Sequence, residues 1–207
     1  EELVQWLDHP NKWHRYAASR ELGLRGDAKM ESHLNDSFDD YTDNAALHAL
    51  WALQQMNALR ADTWQKALVH RSAEVRMWAV RLLGDRFGIQ RNLGLPPVRT
   101  VQDPQLLSMP TEIQSSLLKR AAEEPDPEVR CQIAATARRL PLEQGLQILD
   151  LLLVRDEDVN DPYIPLMCWW VLEAHLPQSV DEVMEFFRDI RLWSRPIVRE
   201  HILPRLT

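Results

Sequence analysis

Cysteine is nearly absent from this 207-residue chain, which has 2, Cys131 and Cys168. That is too few for a disulfide framework, and the two lack the paired spacing of a zinc site. Glycine is scarce too, at 6 residues, and no glycine-rich phosphate loop and no Gly-x-Ser-x-Gly nucleophile elbow occurs. The seven histidines are scattered, with no His-Glu-x-x-His and no pair at i, i+4, which opposes a metal centre. No apolar run approaches the roughly 18 residues that span a bilayer, since stretches such as Ile148 to Val154 are interrupted by Asp150. Basic residues are the minority, 24 against 31 acids, and the net charge of −7 opposes a protein whose main work is neutralising phosphates. What is abundant is leucine (31) and alanine (18), with 45 % hydrophobic residues, the composition of a helical protein with an ordinary core. Tryptophan supplies 8 of the aromatic residues, against 4 Phe and 3 Tyr.

A segment recurs along the chain. His14-Arg15-Tyr16-Ala17-Ala18, Val75-Arg76-Met77-Trp78-Ala79 and Val129-Arg130-Cys131-Gln132-Ile133-Ala134 each follow a short polar or proline-bearing turn. Leu47-His48-Ala49-Leu50-Trp51-Ala52 and Ile164-Pro165-Leu166-Met167-Cys168-Trp169 fit the same slot. Helix pairs recurring at about 30 to 45 residues are the signature of an α-solenoid. The expected fold is therefore all-α, with about six helix pairs at roughly 1–26, 28–57, 61–85, 111–140, 141–176 and 179–207, forming a single domain over 1–207.

Helix-start chemistry supports those boundaries. Asp126 with Pro127 reads as an N-cap followed by a first-turn proline, and Thr111 with Gln114 and Ser179 with Glu182 read as capping boxes. Asn11, Asp43 and Ser72 are candidate caps, and Gly26 a candidate C-terminal stop. Leu47, Leu50, Trp51 and Leu53, then Val75, Trp78, Ala79, Leu82 and Leu83, form apolar stripes with helical spacing. Ala18, Ala52, Ala79 and Ala134 are expected where helices approach closely. The stretch of about 86–110, with Gly88, Gly94, Pro96, Pro97, Pro104 and Pro110, breaks the rhythm and is expected as an irregular insertion, either a binding element, a brace along the array or a mobile loop, with its apolar content favouring the brace.

The Val-Arg segments after Asp-Pro-like turns resemble HEAT repeats. A narrower resemblance lies in Leu47–Leu53, in Asp161-Pro162-Tyr163-Ile164-Pro165-Leu166-Met167 leading to Trp169-Trp170, and in Trp193-Ser194-Arg195-Pro196-Ile197-Val198-Arg199-Glu200. These stretches resemble the helical middle region of the predicted membrane-bound dehydrogenases of planctomycetes and their relatives. That resemblance implies a larger oxidoreductase with an N-terminal β-propeller and a C-terminal cytochrome c region, so haem c is expected in the parent and no cofactor in this stretch. Cys131 and Cys168 are not in a Cys-x-x-Cys-His context, and no haem attachment carries over. The chain opens on Glu1 without an initiator methionine or a signal peptide and is read as a piece of that longer protein. Its compartment is left open by the residues; the resemblance implies a periplasmic or membrane-associated parent.

Four residues are candidate interaction sites: His48, one turn before Trp51, and Trp169, Trp170 and Glu173, with His175 near. Adjacent tryptophans on a helix point about 100° apart, so one of the pair is expected between repeats and the other outward, where indole offers a broad apolar face and one donor. Arg15, Arg76 and Arg130 are expected to form an inter-repeat ladder, each guanidinium reaching an acidic or carbonyl group in the neighbouring turn, with Asp8, Glu74 and Asp126 as candidate partners. The acids from Glu31 to Asp43 lack calcium-loop spacing and are expected as a solvated loop, and Asp156, Glu157, Asp158 and Asp161 as a turn that caps the next helix. No catalytic or metal-ligating constellation is expected.

The function expected is thus a noncatalytic helical scaffold that binds flanking domains or another protein, without membrane insertion. Two alternatives are a nucleic-acid module like the helical-repeat alkyl-base DNA glycosylases, opposed by the charge, and an enzyme whose site is spread over several repeats. The register itself is testable. Ala79→Asp places an unpaired charge in the expected core and should lower the melting temperature sharply, by the equivalent of several kcal/mol, whereas an unchanged transition would overturn the register.

Overall fold

The first turn of a helix has amide hydrogens with no partner in the helix, and here side-chain oxygens take them. In the computed structural model, which describes residues 2–88 and 109–206, Asn11 accepts from Trp13 N–H and Asp126 from Glu128 and Val129 N–H. Asp27 accepts from Lys29 and Met30, and Thr42 from Ala45. Each such cap stabilises its helix by about 1 kcal/mol. At the other end of the first long helix, Gly26 adopts a left-handed φ of 58° and donates to the Leu22 carbonyl, closing the helix as its sequence position predicts.

The elements follow in the order α1 (Glu2–Gln5), a 3-10 turn (Trp6–Asp8), α2 (Lys12–Arg25), α3 (Ala28–Asp36), a 3-10 turn (Phe38–Asp40), α4 (Asp43–Gln55), α5 (Ala61–Leu68) and α6 (Ala73–Phe87). Then come α7 (Thr111–Glu123), α8 (Pro127–Ala137), α9 (Leu142–Leu153), a 3-10 turn (Asp156–Asp158), α10 (Ile164–His175), α11 (Val180–Phe186) and α12 (Ile190–Trp193). A π-turn (Val198–Ile202) runs into α13 (Leu203–Leu206). Among the described residues there is no strand, and the architecture is all-α. The five helix pairs expected before residue 176 are present. The last stretch is not a simple pair, because its first helix breaks at Phe187 into α11 and α12. The insertion expected at about 86–110 falls mainly on residues 89–108, outside those described, while Arg86 and Phe87 complete α6.

The chain divides into two compact units, Glu1–Leu82 with Pro110–Ser116, and Leu83–Met109 with Leu117–Thr207. In the first, α2 packs on α4, and α3 and the 3-10 turns brace them. Ala18, Ala52 and Ala79 are fully buried, as are Leu50, Leu53 and Val75. Gly23 lets α2 approach α4 closely, since a Cβ there would lie 2.7 Å from Gln55 Cβ. Asn35 stitches α3 to α5 with every polar atom used: its amide donates to the Glu31 and Ala58 carbonyls, and its oxygen accepts from Arg60 N–H and the Thr63 hydroxyl. In the second unit α8 packs on both α9 and α10, around fully buried Ile133, Ala134, Leu149 and Val171.

One hydrogen-bond pattern opens three of the second helices. Arg15 Nη1 donates to the carbonyls of His9 (2.8 Å) and Pro10 (3.1 Å), Arg76 Nη1 to those of His70 (2.8 Å) and Arg71 (3.0 Å), and Arg130 Nη1 to those of Glu124 (3.1 Å) and Pro125 (2.8 Å). In each case the acceptors lie six and five residues before the arginine. Each turn is closed a second time, because the residue six before the arginine accepts from the amide four before it: His9 Nδ1 from Asn11, His70 Nδ1 from Ser72, and Glu124 Oε1 from Asp126. Of the two kinds of acceptor expected, the shared ones are therefore carbonyls of the turn before the helix, and the carboxylates of Asp8, Glu74 and Asp126 do not take that place. Asp8 instead accepts from the Thr42 hydroxyl, and Asp126 caps α8. Arg130 also reaches a carboxylate in the following pair, gripping buried Asp158 with two bonds of 2.7 and 2.5 Å.

Several expectations are corrected. Thr42, not Asp43, caps α4, and Asp43 pairs with Arg71 at 2.7 Å. Ser179 precedes α11, but its side chain makes no capping bond. Glu31–Asp36 is helical, not a loop, and the exposed acids there and beyond meet cations 24 to 28 residues on: Asp36 with Arg60, Asp39 with Lys66 and Asp43 with Arg71. Of the second acidic turn, Asp161 accepts from Tyr163 and Ile164 N–H at the start of α10, while Asp158 faces Arg130.

The two kinds of arginine turn should differ in cost when cut. Asp158→Ala leaves the Arg130 guanidinium buried without its carboxylate and should lower the unfolding free energy by about 3–5 kcal/mol. Arg15→Met removes bonds to two carbonyls at a partly exposed turn and should lower it by about 1–2 kcal/mol. Urea denaturation of both variants checks the ranking, and equal losses would contradict it.

Candidate functional site

Three helices of the first unit turn the same kind of side chain to one face. On α2 it carries Tyr16, Ser19 and Arg20, on α4 His48, Trp51 and Gln55 with Gln54 beside them, and on α6 Trp78, Arg81 and Leu82, at the i, i+3, i+4 and i+7 spacings that share a helical face. The opposite sides of these helices bury Ala18, Leu22, Leu53 and Val80, which holds the face in place.

The rings touch in series. Tyr16 stacks on Trp51 with centroids 5.4 Å apart at 26°, and Trp51 meets Trp78 edge to face at 4.9 Å. His48 lies beneath them, edge to face with Tyr16 (5.0 Å) and Trp51 (4.7 Å). Contacts of this kind contribute about 0.5–1.5 kcal/mol each beyond their burial. The Arg81 guanidinium sits over Trp78 at 5.0 Å from the ring centre, a cation–π arrangement. Tyr16, Ser19, Arg20, Trp51, Gln54, Gln55, Trp78 and Leu82 line a cavity of about 550 Å³, within the size range of ligand clefts. Trp51 Nε1 and Gln54 Oε1 are shielded from solvent without a hydrogen-bond partner among the described residues.

His48 is 2 % exposed, with Nδ1 3.4 Å from the Ser19 hydroxyl. Burial, aided by the charge of Arg15, pushes its pKa down to about 4, so it is a neutral ring at physiological pH. It occupies the slot that holds arginine in the turns of Arg15, Arg76 and Arg130. It is thus a support beneath the aromatic face more than a contact on it.

The other sequence candidates are placed differently. Trp169 and Trp170 on α10 are both half-buried, so neither of the expected extremes applies. The Arg138 guanidinium lies over Trp170 at 5.3 Å, Glu173 is exposed, and His175 is buried. They line neither cavity described here. The cavity of the second unit, about 380 Å³, lies between α9 and the α11–α12 segment, with Glu143, Asp150 and Asp189 around Phe186 and Leu192. Asp189 is engaged by Arg191, whose hydrogen bonds pull its pKa down to about 2. Cys131 is half-buried and Cys168 fully buried, both free thiols whose pKa burial raises, so neither is a thiolate nucleophile at neutral pH. Among the described residues no cluster of three or more His, Cys, Asp or Glu could hold a metal ion, and no helix is long and apolar enough to cross a membrane.

The sequence reading missed Tyr16, Arg20 and Arg81 and treated Trp78 only as packing. Their signal was present as aromatic and cationic residues at helical spacing beside buried alanines, but convergence across three helices is not visible in any one of them. Comparison with known proteins adds no identity: no family model matches the chain, and no curated protein is similar to it.

The buried histidines set a pH dependence. His48 is neutral in the fold down to about pH 4, and burial likewise lowers the pKa of His70, whose Nδ1 accepts from Ser72. Unfolded histidine binds its proton near pH 6.5, so the unfolded state holds more protons between these values. The stability that neutral His48 supplies is full above about pH 6.5 and is lost as the pH falls toward 4, and His70 contributes in the same direction. His48→Gln should therefore lose about 2–3 kcal/mol less than the parent protein between pH 7 and 4.5. Urea titrations at the two pH values measure this, and parallel losses would remove His48 from the account.

Proposed function

We propose that this chain is a noncatalytic helical-repeat scaffold that holds a protein partner, a flanking domain or a separate chain, against the face formed by α2, α4 and α6. The observation that carries this reading is the run of Tyr16, Trp51 and Trp78 over an open cavity of about 550 Å³. Aromatic residues and arginine are the side chains most enriched at binding hot spots. The arginine turn at Arg15, Arg76 and Arg130 supports HEAT-like repeats, since one unit of sequence builds one unit of geometry three times. The parent is then a redox protein of the membrane-bound dehydrogenase type, periplasmic or membrane-associated. Its chemistry and any haem c reside in its propeller and cytochrome c regions, and the helical region supplies shape. This part of the proposal rests on the three stretches that resemble that family.

A photo-reactive benzoylphenylalanine introduced at Gln55, at the edge of the cavity, should crosslink in cells to peptides of one protein, and the product should disappear when Trp78→Ser is added. The same group at Lys29, exposed on α3, serves as the control. Equal capture at both positions, or capture of nucleic acid at Gln55, would overturn the proposal.

A further inference from the structure

We infer that the groove over α2, α4 and α6 takes an extended peptide segment in which an acidic residue neighbours an aromatic or proline ring; this deepens the scaffold reading and rests on it. Charge carries the first half of the argument. In a chain of net charge −7, none of the eight residues lining the cavity is acidic, and the one charged residue among them is Arg20. Arg81 adds a second guanidinium above Trp78, and both arginines are exposed and without an ion-pair partner among the described residues. Other cations of the first unit are held in ion pairs: Arg25 with Glu21, Arg60 with Asp36, Lys66 with Asp39 and Arg71 with Asp43. Two unpaired planar guanidiniums at the edge of an apolar strip match a carboxylate, which each can bind through two parallel hydrogen bonds.

Shape carries the second half. The floor is indole and phenol, the surface that accepts flat aromatic or proline rings. The strip is open along its length, with Tyr16 52 % exposed and Gln55, Arg20 and Arg81 exposed at its edges, whereas a small-molecule site encloses most of its ligand. Helices pack about 8–10 Å apart, so the face from α2 through α4 to α6 extends about 16–20 Å. An extended chain of about five or six residues spans that distance at roughly 3.3 Å per residue. A neutral oligosaccharide would meet the same rings, but it would leave both guanidinium charges unanswered.

The test is an array of capped octapeptides with a central Phe, Tyr, Trp or Pro, flanked in separate sets by Asp or Glu, by Lys or Arg, or by Ser. It is read with the whole chain and repeated with maltohexaose and cellohexaose in solution, using the tryptophan fluorescence. Acidic-set peptides should bind at least tenfold more tightly than the Ser set. Arg20→Gln with Arg81→Gln, both at exposed positions, should abolish that difference, and Trp78→Ala should abolish binding by all sets. Equal binding by the three sets, or an acidic preference that survives the double arginine variant, would overturn the inference while leaving a peptide groove and the scaffold reading in place. Binding of an oligosaccharide with no peptide bound, or no binding at all, would overturn both.

Discussion

An arginine that reaches back into the turn before its own helix is the interaction on which the helix pairs depend. A chain reversing between two packed helices exposes carbonyls that no helix can satisfy, at a place where packing removes water. Arg15, Arg76 and Arg130 answer this with one nitrogen shared between two successive carbonyls. The amide that the same turn exposes goes to a side-chain acceptor, His9, His70 or Glu124. Donor and acceptor deficits are thus settled within seven residues, and the direction in which the second helix departs is fixed. The buried alanine one turn later, Ala18, Ala79 or Ala134, packs closely only when that direction holds. Arginine suits the task because its charge never titrates and its planar fork spans neighbouring acceptors.

The slots that lack the arginine show what the device costs in freedom. In α4 the slot is His48, the turn is closed by the Thr42 cap, and a compact neutral ring is buried where a long cation would otherwise turn back. The space beside His48 is taken by Tyr16 and Trp51, and the aromatic face grows from there to Trp78. In α10 the slot is Pro165, and the Asp161 carboxylate takes the amides of Tyr163 and Ile164. The candidate site therefore stands at the first departure from the repeated turn and borrows its rigidity from the turns of Arg15 and Arg76 on either side in sequence.

Most of the fold was legible because its signals are local. Caps, apolar periodicity and the recurring arginine lie within ten residues of one another, and five helix pairs follow from them. What was misread depends on partners distant in sequence. The acids of Glu31–Asp43 look like a solvated loop because Arg60, Lys66 and Arg71, which face Asp36, Asp39 and Asp43, lie 24 to 28 residues further on. Ser179 and Glu182 match a capping box, yet a match in spacing does not bring the serine hydroxyl to the amide. The site divides in the same way. His48 and Trp51 stand out as a pair on one helix, but the face needs Tyr16 and Trp78 from two others. The Trp169-Trp170 doublet drew attention by density alone, and density along a chain is not convergence in space.

Net charge is a poor guide to what this surface selects. An acidic segment approaching a chain of net charge −7 is repelled at long range, but at physiological ionic strength charges more than about 8 Å apart are largely screened. At contact the balance reverses, because Asp36, Asp39 and Asp43 are held by arginine and lysine partners, while Arg20 and Arg81 have no ion-pair partner among the described residues. The overall charge then lowers the rate of encounter without setting the preference of the bound state. A rigid aromatic floor sharpens that preference, since rings already packed against one another lose little further freedom when a ligand is laid across them. Selection by such a surface resides in the dissociation rate, and the guanidiniums of Arg20 and Arg81 are the groups placed to set it.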